Sequence, residues 1–200
     1  MNTGQKKAIL MIADISGYTR FMLDSKTCLV HAQMIISQIM KSIIERVEMP
    51  LEITKIEGDA IFLYALNQNE DGVLENTKIR DSLITFFNAF YEKIEGIKQS
   101  NTCSCGSCKN VNSLRLKIIV HSGEVLFYKL GKFDELSGVN VIIVHRLLKN
   151  SVNRDEYILL TENARNDIKF PETMTLEEGK EEYDHLGTIK TFVWFPSLKK

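Results

Sequence analysis

The chain has 200 residues, 44% hydrophobic and 26% charged, with a formal net charge of -1 and a pI near 6.4. That balance suits one globular domain able to bury a core without disulfides, and it excludes a global attraction to nucleic acid or to an anionic membrane. No apolar run approaches the roughly 18 residues of a membrane span. The opening "MNTGQKKAILMIADIS" runs into an acidic residue without a small-residue cleavage site, so it reads as a first strand rather than a signal peptide. A cytoplasmic location with reduced cysteines is the expectation.

Residues 7–16, "KAILMIADIS", are a continuous apolar run of strand length, suited to a buried central strand. Residues 30–47 carry a helical stripe of Met34, Ile36, Ile39, Met40, Ile43, Ile44 and Val47, and Pro50 stops it. "LEITKIEGDAIFLYAL" (51–66) predicts two strands around a turn at Glu57–Gly58. Residues 67–72 are a loop, and 73–97 a second helix with Ile79, Leu83, Phe86, Phe87, Phe90 and Ile94 inward. A cysteine-bearing loop at about 99–113 follows. "SLRLKIIVHSGEVLFYKLG" (113–131) predicts a second strand pair turning near Ser122–Gly123, and 132–138 a polar connection. Residues 139–152 read as a helix or a buried strand, length and cationic ending favouring helix. A strand over 156–161, a short helix over 162–170 ended by Pro171, and a strand over 189–195 complete the chain. Strand pairs alternating with helices predict an α+β fold, helices packed on a mostly antiparallel sheet, in one domain spanning 1–200.

Asp14 ends the first strand and Asp59 follows the Gly58 turn. In a ferredoxin-like arrangement these strands are neighbours, and both acids reach one end of the sheet. Two converging carboxylates repel unless a cation lies between them. Oxygen-only donors suit Mg2+ or Mn2+, usually completed by substrate phosphates. The small, hydroxyl-bearing "ISGYT" after Asp14 offers backbone N–H groups to a phosphate. Each acid alone is equally well explained as a turn or strand-end residue.

Four motifs in order, "IADISGYTRF", "KIEGD", "VHSGEV" and "GVNVIIVHRL", resemble the catalytic domain of class III adenylate and guanylate cyclases over roughly residues 8–195. The resemblance implies the nucleotidyl cyclase fold and the formation of cyclic AMP from ATP, by attack of the ribose 3'-hydroxyl on the α-phosphate with two Mg2+ or Mn2+ ions. It implies Asp14, Asp59 and the carbonyl of Ile15 as metal ligands. Ile15, Ser16, Gly17, Tyr18 and Thr19 match the triphosphate turn, and Arg146 the phosphate-binding arginine. Lys55 and Glu135 match the base-reading positions and favour adenine. The family builds two sites between two subunits, so a single copy of each motif implies a head-to-tail homodimer. The chain departs from the pattern twice. Ile142 stands where the family has a ribose-orienting asparagine, with Asn140 two residues early. The lysine of the last hairpin has no aligned counterpart, Lys180 and Lys190 being nearest. A nucleotide- or metal-binding signalling module without turnover is therefore an alternative reading.

"TCSCGSCKN" supplies Cys103, Cys105 and Cys108. This C-x-C-x2-C spacing suits Zn2+ or another thiophilic ion, and lies outside the general cyclase pattern. A histidine, a water or a cysteine of a second subunit would complete such a site. A zinc or redox sensor is a third reading, and a loop of reactive thiols a fourth. The chain is most similar to a bacterial cyclase-like branch that carries this cysteine loop and "VHRLLKN". His121 and His145 lie inside the motifs, where a core role competes with a site role.

Overall fold

In the first strand, β1 (Gly4–Ser16), Ala8, Leu10 and Ile12 point into one apolar cluster, while Ile9, Met11, Ala13 and Ile15 point into another. The period of two thus buries both faces, which is why the sequence run is continuous rather than alternating. The computed structural model describes residues 3–66, 76–100, 103–168, 170–171 and 174–196. After β1 come α1 (Tyr18–Asp24), α2 (Leu29–Ile44), β2 (Leu51–Glu57), β3 (Ala60–Leu66), α3 (Asn76–Ser100) and α4 (Gly106–Asn110). A 3-10 turn (Lys26–Cys28) precedes α2, and a second (Val111–Ser113) leads into β4 (Arg115–Leu130). β5 (Phe133–Ser137), α5 (Val139–Arg146), β6 (Tyr157–Thr161), α6 (Glu162–Asp167), β7 (Glu177–Tyr183) and β8 (Gly187–Trp194) follow.

The eight strands form one sheet in the order β2-β3-β1-β4-β6-β8-β7, with β5 paired to β4. Among the described residues, only β4 and β6 run parallel. Helices α2 and α3 cover one face through Ile36, Ile39, Ile43, Leu83, Phe86 and Phe90, and α5 covers the other through Val144. This is the expected α+β fold with a mostly antiparallel sheet.

Several local expectations change. β4 is one long strand, not a pair turning at Ser122–Gly123, because Gly123 stays in register opposite Ala8 of β1. The reversal occurs at Gly131, whose positive φ of 63° favours glycine, and 133–137 become β5. β7, "EEGKEEY", is a charged edge strand without apolar alternation, and α1 is too short to show a helical period. In α2, Met34 is exposed and Ile35 turns inward. Residues 67–75, where a loop and a helix start are expected, lie outside the described residues. Among the described residues one helical stretch, Lys26–Ile44, is long and apolar enough by length and composition to cross a membrane. Its Ala32–Ile36–Ile39–Ile43 stripe is spent on the core.

Candidate functional site

The β1–β3 register sets Asp14 opposite Ala60, and the Ile15 N–H donates to the Asp59 carbonyl at 3.2 Å. Both predicted acids therefore reach the same end of the sheet. Asp59 sits in a tight turn that Gly58 enables with φ of 65°. Burial, and next the charge of Asp14, push the Asp59 carboxyl up to about 6. The Lys117 ammonium acts in the opposite direction, lying 3.1 Å from Asp14 Oδ2 while donating to the Leu148 carbonyl at 3.3 Å. Two carboxylates and one lysine leave a negative, oxygen-lined corner of the kind a hard divalent cation accepts. Lys117 escaped the sequence reading. Its signal is a lone charge in "RLKIIV", on the strand position facing Asp14.

Ile15 and Ser16 are buried, and Gly17 turns the chain into α1, which starts with Tyr18 and Thr19. Gly17 has φ of 87°, and a Cβ there would meet the Ser113 carbonyl at 3.2 Å. Backbone conformation and close approach both require glycine at this position.

The base-reading candidates also meet. Lys55 Nζ on β2 lies 4.0 Å from Glu135 on β5, and closer, at 3.2 Å, to Glu57. His145 Nδ1 is 3.8 Å from Glu57, and its ring packs edge-on to Phe62. Burial lowers the His145 pKa, and Glu57 opposes that. His145 is thus part-exposed and lines a cavity rather than being a closed core histidine. Glu57 was missed, although its position two after Lys55 on one strand places both on one face. A cavity of about 390 Å³ opens beside His145, lined by Val141, Ile142, Arg146 and Lys149. Lys149 lies in the turn after α5, its N–H donating to the Arg146 carbonyl at 3.0 Å, and Ile142 faces this cavity about half exposed. Lys149 went unnoticed because it lies just past the motif.

The "VHSGEV" motif has a packing explanation. His121 Nε2 contacts Asn140 Oδ1 at 2.9 Å, and Nδ1 contacts Thr161 Oγ1 at 2.8 Å. Asn140 Nδ2 donates to the Glu124 carbonyl at 2.8 Å, which fixes its amide orientation. The neutral Nε2–H tautomer satisfies every partner, and burial lowers the His121 pKa accordingly. The Asn140 amide lies where a Cβ on Gly123 would be. Asn140 is thereby committed to joining α5 to β4. Lys180 and Lys190 are cross-strand partners on the sheet edge, bound to Glu182 at 3.1 Å and Glu178 at 2.9 Å respectively. Neither takes the place of the last-hairpin lysine.

The three clustered cysteines gather around His31 of α2. One ligand atom from each of His31, Cys103, Cys105 and Cys108 lies within 4.8 Å of the others. Hydrogen bonding from the Cys108 backbone, and next from His31, lowers the Cys105 thiol to about 5. Part of the expected loop is helical: Cys105 caps α4 and Cys108 lies within it. A shallow apolar groove of about 640 Å³ on α1 and α2, lined by Met22, Leu29, Val30 and Met34, lies apart from the carboxylates.

The fold is the one seen in solved structures of nucleotide cyclases. The chain is similar to the adenylyl cyclase CyaB from P. aeruginosa, with a TM-score of 0.68 at 14% identity over 100% of this chain and 98% of that one. It is similar to the guanylyl cyclase Cya2, with a TM-score of 0.70 at 11% identity over 100% and 98%. An adenylate/guanylate cyclase/hydrolase from Silicibacter pomeroyi aligns with a TM-score of 0.62 at 14% identity over 98% and 99%. By sequence, the chain belongs to the family described as "Protein of unknown function (DUF2652)", whose model matches residues 36–157. It is 34% identical over 126 residues to an uncharacterized protein of Mycobacterium tuberculosis, covering 63% of this chain and 57% of that relative. The chain thus spans less than two thirds of that relative's length.

Proposed function

We propose that the protein is a nucleotidyl cyclase that converts ATP to cyclic AMP and pyrophosphate as a head-to-tail homodimer in the cytoplasm. The observation that carries this reading is the convergence of Asp14 and Asp59, with Asp59 pushed up to about 6 by burial and by its neighbour. The donor set fits Mg2+ or Mn2+, held by both carboxylates and the Ile15 carbonyl. When bound, such ions supply charge neutralisation and an acidified 3'-hydroxyl. Of the chain's own groups, the turn from Ile15 to Thr19 receives the triphosphate. Arg146 offsets charge developing on the phosphates, and Lys149, lining the same cavity, adds a second cation in place of the missing hairpin lysine. Lys55 and Glu135 read adenine as donor and acceptor, with Glu57 holding Lys55 in place. Leu126, Leu130 and Phe133 on the β4–β5 hairpin, and Val139 and Ile142 on α5, are exposed apolar side chains. That surface is consistent with a partner subunit.

The test is incubation with ATP or GTP and Mn2+ at high protein concentration, with chromatography for cyclic nucleotide. Cyclic AMP that disappears in Asp59→Ala supports the reading, and no cyclic product from either nucleotide overturns it. One observation favours a second reading, a module that binds ATP without turnover: the half-exposed Ile142 offers no hydrogen bond to a ribose. Calorimetry showing metal-dependent ATP binding without product decides for that alternative. Cys103, Cys105 and Cys108 take no part in either reading.

A further inference from the structure

The cysteine cluster brings four ligand atoms within 4.8 Å of one another. Zn2+ binds thiolate sulfur at about 2.3 Å and imidazole nitrogen at about 2.0–2.1 Å, in a tetrahedron. Simple trigonometry then places a sulfur and a nitrogen ligand about 3.6 Å apart. His31 Nδ1 lies 3.6 Å from Cys103 Sγ and 3.5 Å from Cys105 Sγ, and Cys108 joins them within the same 4.8 Å group. These atoms come from distant parts of the chain, His31 lying 72 residues before Cys103. The fold, rather than local loop geometry, brings them together. His31 stands in the first turn of α2, an exposed place where a helix needs no histidine.

We infer that His31, Cys103, Cys105 and Cys108 bind one Zn2+ in a closed Cys3His site. Three thiolates and one imidazole are a common structural zinc set, and soft sulfur ligands disfavour Mg2+ and Ca2+. Four protein ligands leave no open coordination position, so the ion's role is to join chain segments. It ties the first turn of α2 to the segment that leaves α3. That segment is already pressed against its surroundings. Ser107 is fully buried, with its Oγ 2.9 Å from Cys28 Sγ, and a Cβ on Gly106 would lie 3.5 Å from the Asp24 carbonyl at the end of α1. The same segment ends at Ser113, whose carbonyl backs the Gly17 turn. The zinc site thus braces α1 at both ends, from outside the sheet. This inference does not depend on cyclase activity.

The test is elemental analysis of protein purified without chelator and without a histidine tag, then of protein stripped, reloaded with Zn2+ and dialysed. About one zinc per chain is expected. X-ray absorption should show three sulfur neighbours at about 2.3 Å and one nitrogen at about 2.0 Å. Cys105→Ser and His31→Ala should each weaken zinc binding by more than about tenfold. His31→Cys should retain zinc with four sulfur neighbours, an outcome that a packing role for His31 would not produce. Chelation should speed amide exchange across 17–28 and 103–113 in the wild-type chain. Reloaded protein that holds no zinc, or zinc that persists unchanged in His31→Ala, overturns the assignment.

Discussion

The chain has two groupings of metal-ligand type, and they are built on opposite plans. The carboxylate corner draws on neighbouring strand ends, where the β1–β3 register alone brings Asp14 and Asp59 together. It is hard and oxygen-rich, and Asp14 there pairs with Lys117 at 3.1 Å. The thiol–imidazole cluster draws on helix α2 and on the segment around α4, joined by packing between elements far apart in sequence. It is soft, and four side chains close it. Openness belongs to chemistry on a ligand that arrives and leaves, and closure to holding the chain in shape. On the proposals above, turnover falls to the first grouping and architecture to the second.

The comparison breaks most sharply at Asp59. Asp59→Ala is expected to lower cyclic AMP formation by at least ~10²–10³-fold with zinc content unchanged, measured by product assay and elemental analysis on one preparation. A matching loss of zinc would show that the two groupings are not independent. Arg146→Ala is expected to lower kcat by ~10²-fold. Lys149→Ala, removing a cation outside the motif, should cost about tenfold or less and chiefly raise KM for ATP. Equal effects of both would move the phosphate site off the position that the motif gives it.

Smaller effects sharpen the structural side. Gly123→Ala drives a methyl group into the Asn140 amide and strains the bonds to His121 and the Glu124 carbonyl. A loss of about 1–3 kcal/mol in chemical denaturation is expected, with Asn140→Ala partly relieving it in the double variant. The Asp59 carboxyl, raised from 3.8 to about 6 in the fold, gives a pH signature. A raised value means that the folded chain favours the protonated acid. This group's contribution to metal-free stability is therefore complete below about pH 4 and is lost as pH rises through about 6. Mn2+ needs the carboxylate, so its affinity should run the other way and climb through the same window. Asp59→Asn should flatten the stability term, readable by denaturation at several pH values.

Much of the carboxylate corner was legible in the sequence, because strand registers are short-range and turn chemistry is local. Gly58 before Asp59, and an apolar run ending at Asp14, already predict two acids at adjacent strand ends. Lys117 and Glu57 were legible only in part, since alternation gives a face but not a neighbour. The strand break expected at Ser122–Gly123 failed because a glycine beside a serine resembles a turn. The long β1 partner holds Gly123 extended, and Asn140 explains why a side chain is excluded there.

The sequence by itself determined the α+β class, the buried central strand, the pair of acids and the thiol spacing of Cys103, Cys105 and Cys108. Each of these is written in patterns a few residues long. Only the tertiary structure decided that His31 joins those thiols, that Asn140 is committed to His121, and that Lys55 meets both Glu57 and Glu135. Glu57 apart, which shares β2 with Lys55, these partners lie on different elements, and their meeting depends on how helices and hairpins pack against the sheet. No local spacing rule encodes that packing.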